Sequence, residues 1–241
     1  MGPCIDIHSH IMPGVDDGSP DMKTSLEMLK IAVSEGTENI ILTPHHKPMH
    51  RNLTPEKMKA HRDNLQQAAN DAGIKVRLFT GNEIYYSDET MDELEQGYIC
   101  PLASSEYVLI EFHPTDSFAN IRNAIYKVQF VGYIPVLAHV ERYADIVEHS
   151  EYVDELIKMG CYIQENASSI MGKYGFGIKH FTRKLLKEGK VHFVATDAHD
   201  SQKRAPHLAE CRKLVENKYG VGYANEIFFN NPLHILKHQK L

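Results

Sequence analysis

The chain has 241 residues, 42 % of them hydrophobic, with 32 acidic against 26 basic side chains and a net charge of -6. Without a Lys/Arg stripe, that balance argues against a nucleic-acid backbone as ligand, and no apolar stretch approaches the roughly 18 residues of a membrane span. The four cysteines, Cys4, Cys100, Cys161 and Cys211, form no CxxC pair and read as free thiols, and none has an Arg six places on, as a cysteine-based phosphatase loop requires.

An apolar run at 4–8 reads as the first strand. The helix after it is well signalled: Ser19 is placed to cap, Pro20 suits the first helical position, and Met22, Leu26, Leu29 and Val33 keep an apolar stripe until Gly36. A strand at 39–43 leads to a helix that starts at Thr54-Pro55, turns Met58, Leu65 and Ala68 or Ala69 inward and stops near Gly73. Strands at 76–80, 108–111, 134–138, 162–164 and 191–196 then alternate with helices at 88–95, 118–131, 152–159, 181–188 and 207–219. Seven strands recurring every 25 to 35 residues or so, with no low-complexity linker, predict a single domain over 1–241, a parallel sheet inside helices. The expected architecture is α/β, a distorted (β/α)7 barrel of TIM-barrel type. A first strand that begins at Cys4 leaves no room for a signal peptide, so a cytoplasmic protein is expected.

At or just beyond the ends of these runs stand His8 and His10, His45, Glu83, Glu111, His139, Asn166, and Asp197 with His199. In a parallel barrel such ends converge on one face. Residues two apart on a strand share a face, so His8 and His10 can grip one ion, and Asp197-Ala198-His199 repeats that geometry on the last strand, which a barrel places beside the first. Of the fifteen histidines, His61, His149, His180, His207, His234 and His238 read as surface or capping residues and His192 as a core histidine, while His46, His50 and His113 stand in loops near the expected mouth. Asp17, in Val15-Asp16-Asp17-Gly18, reads alone as a turn residue. Together His8, His10, Asp17, His45, Glu83, Glu111, His139, Asp197 and His199 offer five imidazoles and four carboxylates, more than one tetrahedral site uses. Such a set suits two or three Mn, Fe or Zn ions with a bridging carboxylate. Without cations, four clustered carboxylates are expected to repel one another.

The ordered motifs Ile5-Asp6-Ile7-His8-Ser9-His10, Val15-Asp16-Asp17-Gly18, Gly81-Asn82-Glu83-Ile84-Tyr85-Tyr86, Leu109-Ile110-Glu111-Phe112, Ala138-His139-Val140-Glu141-Arg142 and Thr196-Asp197-Ala198-His199 resemble the polymerase-and-histidinol-phosphatase (PHP) superfamily. Within it the chain looks most like the manganese-dependent bacterial protein-tyrosine phosphatases of capsule and exopolysaccharide operons, from about residue 4 to the C-terminus. The resemblance implies one metal on His8, His10, Glu83 and Asp197, a second on Glu83, Glu111 and His139, and a third on Asp17, His45 and His199. Glu83 would bridge. It also implies manganese as cofactor, phosphate anchoring by Arg142 and Arg204, and a phosphotyrosine protein as partner, in particular a membrane-associated tyrosine autokinase of polysaccharide synthesis.

The expected reaction is hydrolysis of a phosphate monoester by water that bound cations activate, with no covalent phosphoenzyme. His199 is a candidate proton donor to the leaving group, and the loop 47–53 a candidate flap. The same chemistry on a small molecule, as in a histidinol-phosphatase, is the alternative. An amidohydrolase would usually add a carboxylated Lys at a strand end, which is not found, and a turnover-free regulatory module would be expected to lack some of these ligands.

Overall fold

The computed structural model describes residues 2–241. Nine strand segments run in chain order: β1 (Cys4–Asp6), β2 (Thr37–Leu42), β3 (His45–His46), β4 (Arg77–Thr80), β5 (Glu83–Tyr85), β6 (Tyr107–Glu111), β7 (Ile134–Leu137), β8 (Tyr162–Asn166) and β9 (Phe193–Ala195). Around them lie α1 (Met22–Ser34), α2 (Pro55–Asp71), α3 (Asp88–Glu95), α4 (Phe118–Phe130), α5 (Ala144–Glu148), α6 (Tyr152–Lys158), α7 (Ala167–Met171), α8 (Phe176–Lys187), α9 (Ala209–Tyr219), α10 (Val221–Asn225) and α11 (Asn231–Leu236).

Every ladder is parallel, in the orders β1-β2-β4 and β3-β5-β6-β7-β8-β9. The nine segments are the seven expected strands, two of them interrupted. Pairing of Leu42 with Thr80 resumes in the same register at His45 with Glu83, so β2 with β3, and β4 with β5, each form one strand broken at Pro44 and at Gly81-Asn82. Pro44 has no N–H to give the ladder. Gly81 suits the close packing there, because a Cβ would come within 2.9 Å of a Leu102 methyl and 3.0 Å of an Ile41 methyl, which would have to shift.

The curled sheet meets itself where the first strand reaches the last. Ser9 bridges to Ala198, the His10 N–H donates to the Ala198 carbonyl at 2.8 Å, and the Asp197 N–H donates to the His8 carbonyl at 2.9 Å. Inside the curl, Ile5, Ile7, Ile41, Leu109, Val136 and Phe193 form one buried cluster, closed from below by Ile235 of α11. Burying each such side chain stabilises the fold by about 1.5–3 kcal/mol. A second cluster packs α4, α6, α8 and α9 on the outer face of the longer sheet, and a third packs α1 and α2 against β2 and β4.

Local signals are obeyed with a few shifts. Helix α1 is capped by Asp21, whose carboxylate accepts from the Thr24 N–H at 2.8 Å, not by Ser19, whose hydroxyl is bonded to Asp21 and Ser25. Thr54 caps α2 and Ser87 caps α3. Helix α8 starts five residues before its expected 181, at Phe176, and the short α5, α7, α10 and α11 were not anticipated. His192 is a core histidine whose Nδ1 accepts from the Ile163 N–H at 3.1 Å, and burial pushes its imidazole down to about 4.

Candidate metal centre

All nine side chains singled out in the sequence converge at the C-terminal ends of the strands. They form four overlapping groups, His8/His10/Asp197, His8/Glu83/His139, His45/Glu83/Glu111 and His10/Asp17/His45/His199, each with ligand atoms within 4.8 Å of one another. The groups overlap more than the implied partition, since His8 also joins Glu83 and His139, and His10 also joins Asp17, His45 and His199. Glu111 stands nearer His45, at 3.0 Å, than His139, at 3.7 Å.

Glu83 is the hub. Its Oε1 lies 3.2 Å from His8 Nε2 and 2.8 Å from His139 Nε2, and its Oε2 lies 3.2 Å from His10 Nε2 and 3.0 Å from His45 Nδ1. One buried carboxylate thus faces four imidazoles, two on each oxygen. The break at Gly81-Asn82 aims it: Asn82 Nδ2 donates to the Pro44 carbonyl at 3.0 Å, tying the two interruptions together just before Glu83 and His45.

Two ligand candidates sit where the backbone is strained. His139 has φ +32° and Asp197 φ +51°, left-handed values that non-glycine residues rarely adopt. At His139 the turn ends β7 and feeds the short 3-10 turn Val140–Arg142, which delivers Arg142 to the mouth. Asp197 presents Oδ1 at 3.5 Å to both His8 Nε2 and His10 Nε2, while Oδ2 accepts from Arg142, from Arg204 at 2.8 Å and from Asn166 Nδ2 at 2.9 Å. Arg142 and Arg204 are about one-third exposed, 33 % and 34 %, so each has a free side toward solvent at the mouth.

Partners that sequence reasoning missed hold the imidazoles in place. His10 Nδ1 is 2.7 Å from Asp16 Oδ2, which also accepts from the His45 N–H at 3.1 Å. His8 Nδ1 lies 3.1 Å from Gln164 Oε1, which takes the His139 N–H at 3.0 Å, while Gln164 Nε2 donates to Asn166 at 2.8 Å. Because Gln164 Oε1 only accepts, His8 Nδ1 is the donor of that bond, and Nε2 is the nitrogen that faces Glu83. Asn166 was legible as a strand-end residue and Asp16 stood in the Val15-Asp16-Asp17-Gly18 motif without being assigned a role, whereas Gln164 had no local signal, since it acts on residues brought near only by the fold. His46 belongs elsewhere, paired with Glu93 at 2.6 Å, and the exposed His113 bonds Thr115.

Charge in the cluster is shared between imidazoles and carboxylates, which offsets the repulsion expected among the acids. Burial disfavours a charged His45, but hydrogen bonds to Asp17, Glu111 and Glu83 outweigh it and push the imidazole up to about 12. The same contest, with Asp16 and Glu83 as partners, raises His10 to about 9. Glu83 is held well below the usual carboxylate range by its imidazoles despite its burial. His199 goes the other way: burial and the nearby His10 push it down to about 3.

The donor set fits divalent cations. It is nitrogen and oxygen without sulfur, and it crowds five imidazoles against four carboxylates with little but one another as partners, His45 Nδ1 alone standing 3.0 Å from both Glu83 Oε2 and Glu111 Oε1. Cysteine chemistry fits poorly. Burial pushes Cys4 and Cys100 up to about 11, Cys161 to about 12 and Cys211 well above the ordinary thiol range, so none offers a thiolate at neutral pH. Replacing all four by Ser or Ala should leave kcat within about threefold, roughly 0.7 kcal/mol of barrier, in a variant shown to fold by circular dichroism. Trapping a phosphocysteine would contradict this.

The sequence profile of the family described as "Capsular polysaccharide synthesis, CpsB/CapC" matches residues 4–237. Tyrosine-protein phosphatase CpsB of Streptococcus agalactiae serotype III is 34% identical over 238 residues, 97% of this chain and 98% of that protein. A solved structure from the work on YwqE of Bacillus subtilis and CpsB of Streptococcus pneumoniae, described as metal-dependent tyrosine phosphatases, superposes with a TM-score of 0.92 at 32% identity, covering 98% of this chain and 96% of that one. A histidinol phosphate phosphatase from Lactococcus lactis, solved with zinc, L-histidinol and phosphate, superposes with a TM-score of 0.60 at 15% identity and shows a shared fold.

Proposed function

Because the chain belongs to the CpsB/CapC family of capsular polysaccharide synthesis proteins, we propose that it is a metal-dependent tyrosine-protein phosphatase whose centre is the nine-residue cluster at the mouth of the barrel. The observation that carries this reading is Glu83, whose two oxygens each face two imidazoles, the disposition of a bridging carboxylate. His8, His10, Glu83 and Asp197 would hold one ion, Glu83, Glu111 and His139 a second, and Asp17, His45 and His199 a third, with manganese expected first and iron or zinc next. When bound, such ions supply Lewis acidity and bring the pKa of water toward neutrality.

The chain's own groups do the rest. Gln164 and Asp16 fix the His8 and His10 tautomers. Arg142 and Arg204, each hydrogen-bonded to Asp197 and open on one side, are placed to take phosphoryl oxygens and the charge that spreads over them in a loose transition state. His199, held neutral, is a poor proton donor, so the site favours a leaving group that departs as a stable anion. A tyrosyl phenolate does so and an alkoxide does not. The substrate is accordingly a phosphotyrosine protein, and the family's role in polysaccharide synthesis supports a membrane-associated tyrosine autokinase as that protein. Among the described residues no helix is long and apolar enough to cross a membrane; action from the cytoplasm is part of this reading.

Protein purified without chelator should carry two to three transition-metal ions and lose activity in EDTA, with Mn restoring it best. At one pH and one metal concentration, phosphotyrosine peptides should be hydrolysed with kcat/KM at least about tenfold above phosphoserine peptides and histidinol phosphate, about 1.4 kcal/mol of barrier. Less than one metal per chain with chelator-resistant activity would remove the mechanism. A preference for histidinol phosphate would replace the protein substrate by a small molecule and leave the centre standing.

A further inference from the structure

A cavity of about 460 Å³ opens beside the metal centre, sharing Asp17 and His45 with it. Its lining carries both signs of charge. The carboxylates are already engaged, Asp16 with His10 and Asp17 with His45. Lys47 and Arg51 also line it, and among the described residues neither the Lys47 ammonium nor the Arg51 guanidinium has an ion pair or a hydrogen bond. Arg142 and Arg204 provide the contrast, since both are bound to Asp197. Val15, Leu53 and Met58 add apolar surface to the lining.

The loop that carries the two cations is built, not slack. Asn52 Oδ1 accepts the Lys47 N–H at 3.1 Å and Asn52 Nδ2 donates to the Lys47 carbonyl at 2.8 Å, clipping the two ends of the segment together. The His50 ring bonds the Pro48 carbonyl at 3.0 Å, and Met49 turns outward at the tip with φ +60°. Lys47 is thereby tied through both its backbone groups to Asn52, and Arg51 is the residue next to that clip. A cavity of a few hundred Å³ with an apolar wall and two unspent cations matches an aromatic side chain accompanied by a nearby anion.

We propose that this cavity is a peptide subsite that selects phosphotyrosines flanked by a second anionic group, which Lys47 and Arg51 hold. The proposal rests on the tyrosine-phosphatase reading and adds a sequence preference to it. The second anion is a carboxylate or another phosphotyrosine within a few residues of the scissile one. The chemistry is the same in both cases, because either presents oxygens to an ammonium and a guanidinium at the edge of solvent.

The test uses the full-length, metal-loaded protein and three matched phosphotyrosine peptides, with neutral flanks, with Asp or Glu flanks, and with a second phosphotyrosine. The wild-type protein should favour at least one of the anionic peptides over the neutral one by about tenfold in kcat/KM, expressed mainly in KM. In the Lys47→Gln, Arg51→Gln double variant that ratio should fall toward one, through the KM of the anionic peptides, and raised salt should lower it in the wild type. The anionic peptide with the larger ratio identifies the source of the anion. A wild-type ratio of one, or a ratio unchanged in the double variant, overturns the subsite. Absence of turnover on every phosphotyrosine peptide, with metal in place, would instead overturn the phosphatase reading and the subsite with it. Both substitutions lie on an exposed loop, and metal content with circular dichroism confirms an intact fold.

Discussion

Glu83→Gln should lower kcat/KM by at least about 1000-fold, close to 4 kcal/mol of barrier, and should strip metal from the protein. Glutamine keeps the volume and one carbonyl oxygen but cannot present an anionic oxygen to His8 and His139 on one side and to His10 and His45 on the other. No neighbour can substitute, because Glu111 reaches His45 and His139 alone and Asp197 is already committed to two arginines. Metal analysis of the purified variant is the direct reading. A variant with full metal and normal turnover would mean that Glu83 is a buried counter-ion to a histidine cluster and not a bridge.

The second large effect belongs to the arginines. Arg142→Ala and Arg204→Ala should each lower kcat/KM about 100-fold, near 2.7 kcal/mol, with metal retained. An ordinary ion pair at one-third exposure contributes at most about 1 kcal/mol to stability and nothing to turnover. The two changes should not add, because both guanidiniums bear on one Asp197 oxygen and in the proposed mechanism would bear on one phosphoryl group. Metal content again separates the explanations. If either variant loses metal along with activity, that arginine acts by holding Asp197; if both keep metal and full activity, they are surface ion pairs.

Much of the architecture was legible because a parallel sheet buried on both faces leaves unbroken apolar runs in the sequence. The runs at 108–111 and 134–138 fall within a residue of β6 and β7. What escaped notice were β3 and β5, two and three residues long, which lie beyond the breaks at Pro44 and Gly81-Asn82. A proline and a glycine look like the end of a strand even when the ladder resumes beyond them. The candidate ligands were easier to find than their supports for a related reason. His8 and His10, or Asp197 and His199, announce themselves by spacing, whereas Gln164 reaches His8 across 156 residues of chain. The first strand also departs from the simple picture: β1 ends at Asp6, and His8 and His10 follow on the extended chain that bridges to Ala198.

That bridge has a consequence for the order in which the molecule becomes competent. The seam joins stretches of chain almost at opposite ends of the sequence, with Thr196 bonded to Asp6 across 190 residues. Closing so long a loop costs entropy that returns only when its contacts form, so the seam belongs among the late events of folding. Helices α1 to α8 and the ladders between them can assemble on local and neighbouring contacts. His8 and His10, however, meet Asp197 and His199 only once the circle is complete. A half-finished barrel can already bring His45, Glu83, Glu111 and His139 together on neighbouring strands, but the groups that join His8 and His10 to Asp197 and His199 are completed only at the last stage of maturation.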